Sequence, residues 1–187
     1  MRCRLTKACL WTLITLFSIV AFGQKVKVGY DKKADFQKFK TYSWADPMAP
    51  PTRPMLYTII VDTIDYELKP KGFSRVEQDG DLVLIPAGGM EFGLNMAAGA
   101  PVIPTLGGQP PVIDATMWTG VTGFSHLTAP AVPEGSLVLT FVDRAANKIV
   151  WSGTVTDKLN LGNKKESLER VDKAIVKLLR QFPPKYK

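Results

Sequence analysis

Residues 136–156 read SLVLTFVDRAANKIVWSGTVT, and this stretch decides the fold. From Ser136 to Val142, Leu137, Leu139 and Phe141 share one face of an extended chain, while Val138, Thr140 and Val142 share the other. Ile149 to Thr156 supplies a second strand, with Ile149, Trp151 and Val155 expected to face one way and Gly153 between them. A glycine there either admits a large neighbour such as an aromatic ring or marks a bulge. Asp143 to Lys148 makes the connection, and Asn147 is a residue that tolerates positive φ. Just downstream, Leu168, Val171, Ile175, Leu178 and Phe182 recur at spacings of three, four, three and four. That is the apolar stripe of a helix. Arg170, Lys173, Lys177 and Arg180 take its other side, and positive charge rises toward the C-terminal end, where the helix dipole favours it. Asn163 with Glu166 makes a capping pair, and Pro183-Pro184 stops the helix.

Working upstream, Val26 to Tyr30 alternates polar and apolar residues and reads as a strand. Asp35 to Lys40 turns the chain, and Thr41 to Trp44 has strand composition ending at Asp46-Pro47. Met48 to Pro54 holds three prolines and leads into a helix, with Thr52 as the expected cap and Pro54 in the first turn, where its missing N–H costs nothing. Leu56, Ile60, Ile64 and Leu68, with Val61 alongside, form that helix's apolar stripe; Asp62, Asp65 and Glu67 lie mostly off it. Gly72 ends it in the left-handed conformation. Phe73 to Val76 and Leu82 to Ile85 are strand-like and are expected to form a hairpin through Asp79-Gly80. The order is strand, strand, helix, strand, strand, insert, strand, strand, helix. It predicts an α+β fold: an antiparallel or mixed β-sheet with two amphipathic helices packed on one face.

The first 23 residues have the layout of a secretory signal peptide. Arg2, Arg4 and Lys7 precede an apolar run from Leu10 to Phe22, and Ala21 and Gly23 place small residues before a cut at Gln24. The run is short of the roughly 20 apolar residues of a membrane span. One domain, 24–187, is expected after the cut. Removing the leader lowers the formal charge from +7 to about +4. Cys3 and Cys9 both leave with it, so disulfide, thiolate-metal and thiol-nucleophile chemistry are not expected of the exported chain. No cysteine stands at the cut, which predicts periplasmic or outer-membrane-associated residence without a lipid anchor.

The segment at about 86–135 is unusual. It holds nine glycines and seven prolines and no lysine or arginine, yet it is rich in large apolar side chains. Long exposed apolar loops associate unless covered. Three readings follow: parts of it add strands to the sheet, it contacts a partner or a second copy, or it touches a membrane surface. Met90, Phe92, Leu94, Met117, Trp118 and Phe124 are the candidate interaction surface. The partners expected are another envelope protein, a second copy or the membrane surface, and not nucleic acid, for which no motif is present.

Catalytic chemistry finds little support. His126 is the one histidine, so no two-histidine metal site can form. Gly123-Phe124-Ser125-His126-Leu127 lacks the second glycine of a nucleophile elbow. Gly88-Gly89 and Gly107-Gly108 lack the lysine and following helix of a phosphate loop. Asp79-Gly80-Asp81 offers far fewer oxygens than the six to eight calcium takes. Asp62 and Asp65, three apart on a helix, are the remaining acid–base candidates. No catalytic residue, metal ligand or cofactor is therefore assigned.

The chain resembles the bacterial envelope family called domain of unknown function 4136. The residues that carry the resemblance are Ala34-Asp35-Phe36 leading to Tyr42-Ser43-Trp44, Lys71-Gly72-Phe73, Asp81-Leu82-Val83, Leu137 to Asp143, Ile149-Val150-Trp151-Ser152-Gly153 and Phe182-Pro183-Pro184. The resemblance implies an exported α+β domain of no established activity, often a lipoprotein, and it supplies no catalytic residues. The leading expectation is a non-catalytic binding or interaction module of the envelope. The alternatives are a periplasmic hydrolase or lyase using Asp62, Asp65, Ser125 or His126, and a structural accessory of an envelope complex.

Overall fold

A computed structural model of the chain describes residues 25–45, 53–88, 118–119, 136–157 and 164–185. In chain order the elements are β1 (Lys25–Asp31), β2 (Thr41–Trp44), α1 (Pro54–Leu68) continued by a 3₁₀ turn (Lys69–Lys71), β3 (Ser74–Arg75), β4 (Leu82–Gly88), β5 (Trp118–Thr119), β6 (Ser136–Asp143), β7 (Lys148–Thr156) and α2 (Lys164–Leu179). The strands form one open mixed sheet in the order β3-β2-β4-β6-β7-β1-β5. β2 is parallel to both β3 and β4, and every other pair is antiparallel. This is the α+β class the sequence predicts. Among the described residues no helix is long and apolar enough to cross a membrane.

The alternation of β6 divides the sheet into two apolar faces. On one, Leu82 and Leu84 of β4, Leu137, Leu139 and Phe141 of β6, and Trp151 and Val155 of β7 join Leu56, Ile60, Ile64 and Leu68 of α1 and Val171, Ala174, Ile175 and Leu178 of α2 in the main core. Both helices therefore pack on the same face. The opposite face carries a smaller cluster: Val83, Ile85, Val138, Val142 and Ile149. Ser136 pairs with Thr156 at 2.9 Å and Thr140 with Ser152 at 3.3 Å on that same side. Gly153 sits beneath the indole of Trp151 and the Leu178 side chain, the aromatic neighbour that a strand glycine admits.

Four local expectations need correction. Phe73–Val76 and Leu82–Ile85 do not form a hairpin. β3 and β4 run in the same direction on either side of β2, which pairs with both through Tyr42. Asp79, at φ 61°, and Gly80 instead serve a crossover, in which a Cβ at Gly80 would overlap the backbone of Tyr42 and Ser43. Second, Ile149 lies on the face opposite Trp151. A bulge sets Phe141 against Trp151 but Val142 against Ile149, so the extra residue Val150 reverses the alternation. Third, the residue capping α1 is Arg53, which makes no side-chain capping bond, rather than Thr52. Fourth, α2 ends at Leu179, and Phe182 reaches the core through a turn in which its N–H bonds the Leu179 carbonyl at 3.1 Å. The Asn163 cap lies outside the described residues.

The strand β4 also continues through Pro86 to Gly88, past the expected start of the insert. Proline is tolerated because of which way it points. The Leu84 carbonyl accepts the Ala45 N–H on the β2 side, and two residues on, Pro86 presents its nitrogen to that same side. β2 pairs no further than Leu84, so no ladder bond is lost there among the described residues.

Candidate functional site

Three connections meet at one end of the sheet: the turn after β1, the crossover between β3 and β4, and the turn between β6 and β7. They enclose an open cleft of about 240 Å³ lined by Lys38, Phe39, Asp79, Gly80, Asp81, Asp143, Arg144 and Ala145. The cleft carries two cations and three carboxylates, and each carboxylate has fixed partners. Asp143, nearly buried, accepts from Lys38 Nζ at 2.7 Å and from the Ala146 N–H at 3.1 Å. The Lys38 ammonium also lies 4.7 Å from the centre of the Phe39 ring. Asp79 pairs with Arg144, whose N–H bonds the Asp81 carbonyl at 3.1 Å. Asp81 accepts from the N–H groups of Lys40 at 2.8 Å and Thr41 at 2.9 Å, while its own N–H donates to Thr41 Oγ1. The Lys40 N–H first, and then that of Thr41, hold the Asp81 carboxyl below the usual carboxylate range. Beside the cleft, buried Asp31 pairs with Lys148 at 2.6 Å and accepts from the Lys33 N–H at 2.8 Å. Among the described residues, no group of three or more His, Cys, Asp or Glu side chains is placed to hold a metal ion. Each of the three cleft carboxylates is thus engaged by a cation or by backbone N–H groups.

A second polar centre ties α1 to the sheet. Asp65 Oδ1 accepts from the Tyr42 hydroxyl at 2.6 Å and from Trp44 Nε1 at 3.1 Å, and Oδ2 accepts from Arg75 at 2.8 Å. Burial, and then the bond to Asp65, push the Tyr42 hydroxyl above its ordinary pKa. Asp65 thus spans helix, β2 and the edge strand β3. Asp62, its expected acid–base companion, is exposed.

Of the candidate interaction residues, Met90, Phe92, Leu94, Met117 and Phe124 lie outside the described residues, as do Ser125 and His126. The backbone of Trp118 is placed: it pairs with Asp31 in β5. The cleft residues escaped the sequence reading because they are far apart in the chain. Asp79-Gly80-Asp81 is the one local signal among them, and it predicts a tight turn.

The residues that carry the family resemblance are mostly core. Phe182 stacks on Phe141 at 4.2 Å between ring centres and meets Phe36, Phe73 and Trp151 at 5.8, 5.3 and 5.3 Å. Phe39 extends the group through Phe36 at 6.1 Å. These aromatics hold the turn after β1 and the C-terminal turn against the sheet.

Fold and centres together define an α+β protein with a mixed sheet, two helices on one face and an ion-paired cleft at its end. The model for the family described as domain of unknown function (DUF4136) matches residues 26–184, and the chain belongs to that family. No curated protein matches the chain. Among solved structures, a PDZ domain protein from Parabacteroides distasonis is similar at 15% identity and a TM-score of 0.48, over 88% of this chain. The likeness spans only 37% of that protein's chain. A PelC dodecamer from Paraburkholderia phytofirmans is similar at 13% identity and a TM-score of 0.44, over 84% of this chain and 95% of that one.

Proposed function

We propose that the chain is an exported, non-catalytic binding module of the bacterial cell envelope. The observation that carries this reading is the closure of its polar centres. Asp31, Asp65, Asp79, Asp81 and Asp143 are each committed to a cation, a hydroxyl, an indole N–H or backbone N–H groups. A general base needs a carboxylate free to take a proton from substrate. The leader-like first 23 residues support export, and the apolar segment at about 86–135, which lacks lysine and arginine, supports contact with a partner or a membrane surface.

The test begins with fractionation of the native cell and mass measurement of the recovered chain. The expected product starts at Gln24 and is found in the envelope. Cross-linking there, followed by a reconstituted binding assay with the captured partner, is expected to give saturable binding that weakens when residues 89–110 are removed. A chain that keeps Met1 in the cytosol would overturn the address. Substrate turnover abolished by Asp65→Asn or Asp143→Asn would overturn the role.

A further inference from the structure

We infer that the outer edge of β1 is a docking edge for an extended segment of a partner protein in which acidic and apolar residues alternate. The inference rests on the binding reading above and gives it a surface and a partner chemistry. β1 pairs with β7 along Lys25–Tyr30, but on its other side β5 meets only Tyr30 and Asp31. Among the described residues, Lys25–Gly29 have a strand on one side alone; Gly29 is buried, so the accessible edge is Lys25–Val28. Four residues are about 13 Å of edge at roughly 3.3 Å each, the length of a short strand. An unpaired edge offers its N–H and C=O groups to any extended chain that fits.

The side chains decide which chain fits. Val26 and Val28 lie on the helix-bearing face, packed against the main core yet only partly buried. Lys25 and Lys27 lie on the opposite face, exposed, with no ion pair among the described residues. The edge is thus apolar on one side and cationic on the other. A matching strand would set apolar side chains beside the valines and carboxylates beside the lysines. A second copy adding its own β1 would bring lysines against lysines, which cross-strand pairing disfavours. The residues that follow β5, Gly120-Val121-Thr122-Gly123-Phe124, hold no carboxylate to answer the lysines. Edge lysines that block self-pairing are the same charges that select an acidic partner.

The experiment titrates the isotope-labelled chain with the capped peptide Glu-Val-Glu-Val-Glu and follows backbone amide shifts. Shifts are expected at Lys25–Tyr30 and the facing residues of β7. Binding should weaken at least tenfold in a Lys25→Glu/Lys27→Glu chain of unchanged melting temperature, and that chain should instead take Lys-Val-Lys-Val-Lys. N-methylation of alternate peptide nitrogens on the pairing side should abolish binding. Shifts that map elsewhere, equal binding by the double variant, or a dimer joined through β1 would overturn the inference. So would outward amides of Lys25–Val28 already as protected from exchange in the free monomer as those of β7, because the chain's own residues would then hold the edge. If the envelope partner binds the double variant as tightly as the parent, the edge falls and the binding reading stands. If the parent turns over a substrate yet still docks the acidic peptide on β1, the wider reading falls and the edge stands.

Discussion

Gly153 and Gly80 are both crowded, but by different kinds of neighbour, and the difference sets the cost of a methyl group. At Gly153 a Cβ would lie 2.5 Å from a ring carbon of Trp151 and 2.6 Å from Leu178 Cδ1. Both belong to side chains, which can shift at a cost. Gly153→Ala is therefore expected to lose about 1–3 kcal/mol, the range of overpacked cores, measured by urea unfolding. At Gly80 the obstacle is the backbone of β2, which cannot move without breaking its pairing with β3 and β4. Gly80→Ala should cost more than Gly153→Ala, and the reverse order would contradict this account of the crossover. Asp81, next along, adds a pH dependence of known sign. Its folded-state pKa is lowered, first by the Lys40 N–H and then by that of Thr41. The stability it contributes is complete above the unfolded value of about 3.9 and is lost as pH falls through the lower folded value. The stability difference between the parent chain and Asp81→Asn is thus expected to be flat above about pH 5 and to shrink below about pH 4. A difference that grows on acidification would refute the assignment. The sequence makes the tightness at Asp79-Gly80 legible, because such dipeptides mark positive φ and close approach. It does not show which strands the turn joins.

Between elements, what a short window reveals is what periodicity can carry. The stripes of α1 and α2 and the two faces of β6 follow from spacing alone, since the identities of the buried residues repeat with the element's own geometry. The bulge at Val150 leaves no trace in composition, because Ile149, Val150 and Trp151 are all buried. The parallel β3-β2-β4 arrangement is equally hidden. At that edge Asp65 of α1 binds Tyr42 and Trp44 of β2 and Arg75 of β3, elements that no short window joins. Asp65→Ala would leave the buried Tyr42 hydroxyl without its acceptor. A loss of about 1–3 kcal/mol is expected for such an orphaned group, with faster amide exchange at Val76, whose N–H bonds the Tyr42 carbonyl at 2.9 Å. On α2, Ile175 is fully buried in the main core. Ile175→Asp would place a carboxylate there without a cation, a penalty comparable to the whole stability of a domain. The variant is expected to be unfolded by circular dichroism, and an unchanged melting curve would sink the reading of the helix seam.

At the scale of the molecule, the cleft shows why a site escapes a linear reading. Lys38, Asp79-Gly80-Asp81 and Asp143-Arg144 are strangers in sequence, and only the sheet order brings them to one end. The core is shared in the same way. The main cluster takes residues from β2, α1, β4, β6, β7 and α2, with Phe36, Phe39 and Phe73 from the connections between elements and Phe182 from the turn after α2. No element in it holds an apolar centre of its own. Removing α2 would uncover Trp151 and Gly153, and removing the turn after β1 would uncover Phe182. Loss of one part therefore exposes the apolar surface that stabilises the next, which is the condition for all-or-none unfolding. The chain from Gln24 onward is expected to melt in a single transition. Far-ultraviolet circular dichroism, which follows the helices, should coincide with near-ultraviolet signals from buried aromatics such as Tyr42 and Trp151. Two separated midpoints would mean that α1 with the β3-β2 edge comes away from the β6–β7 centre, and the shared core described above would not be what holds the two together.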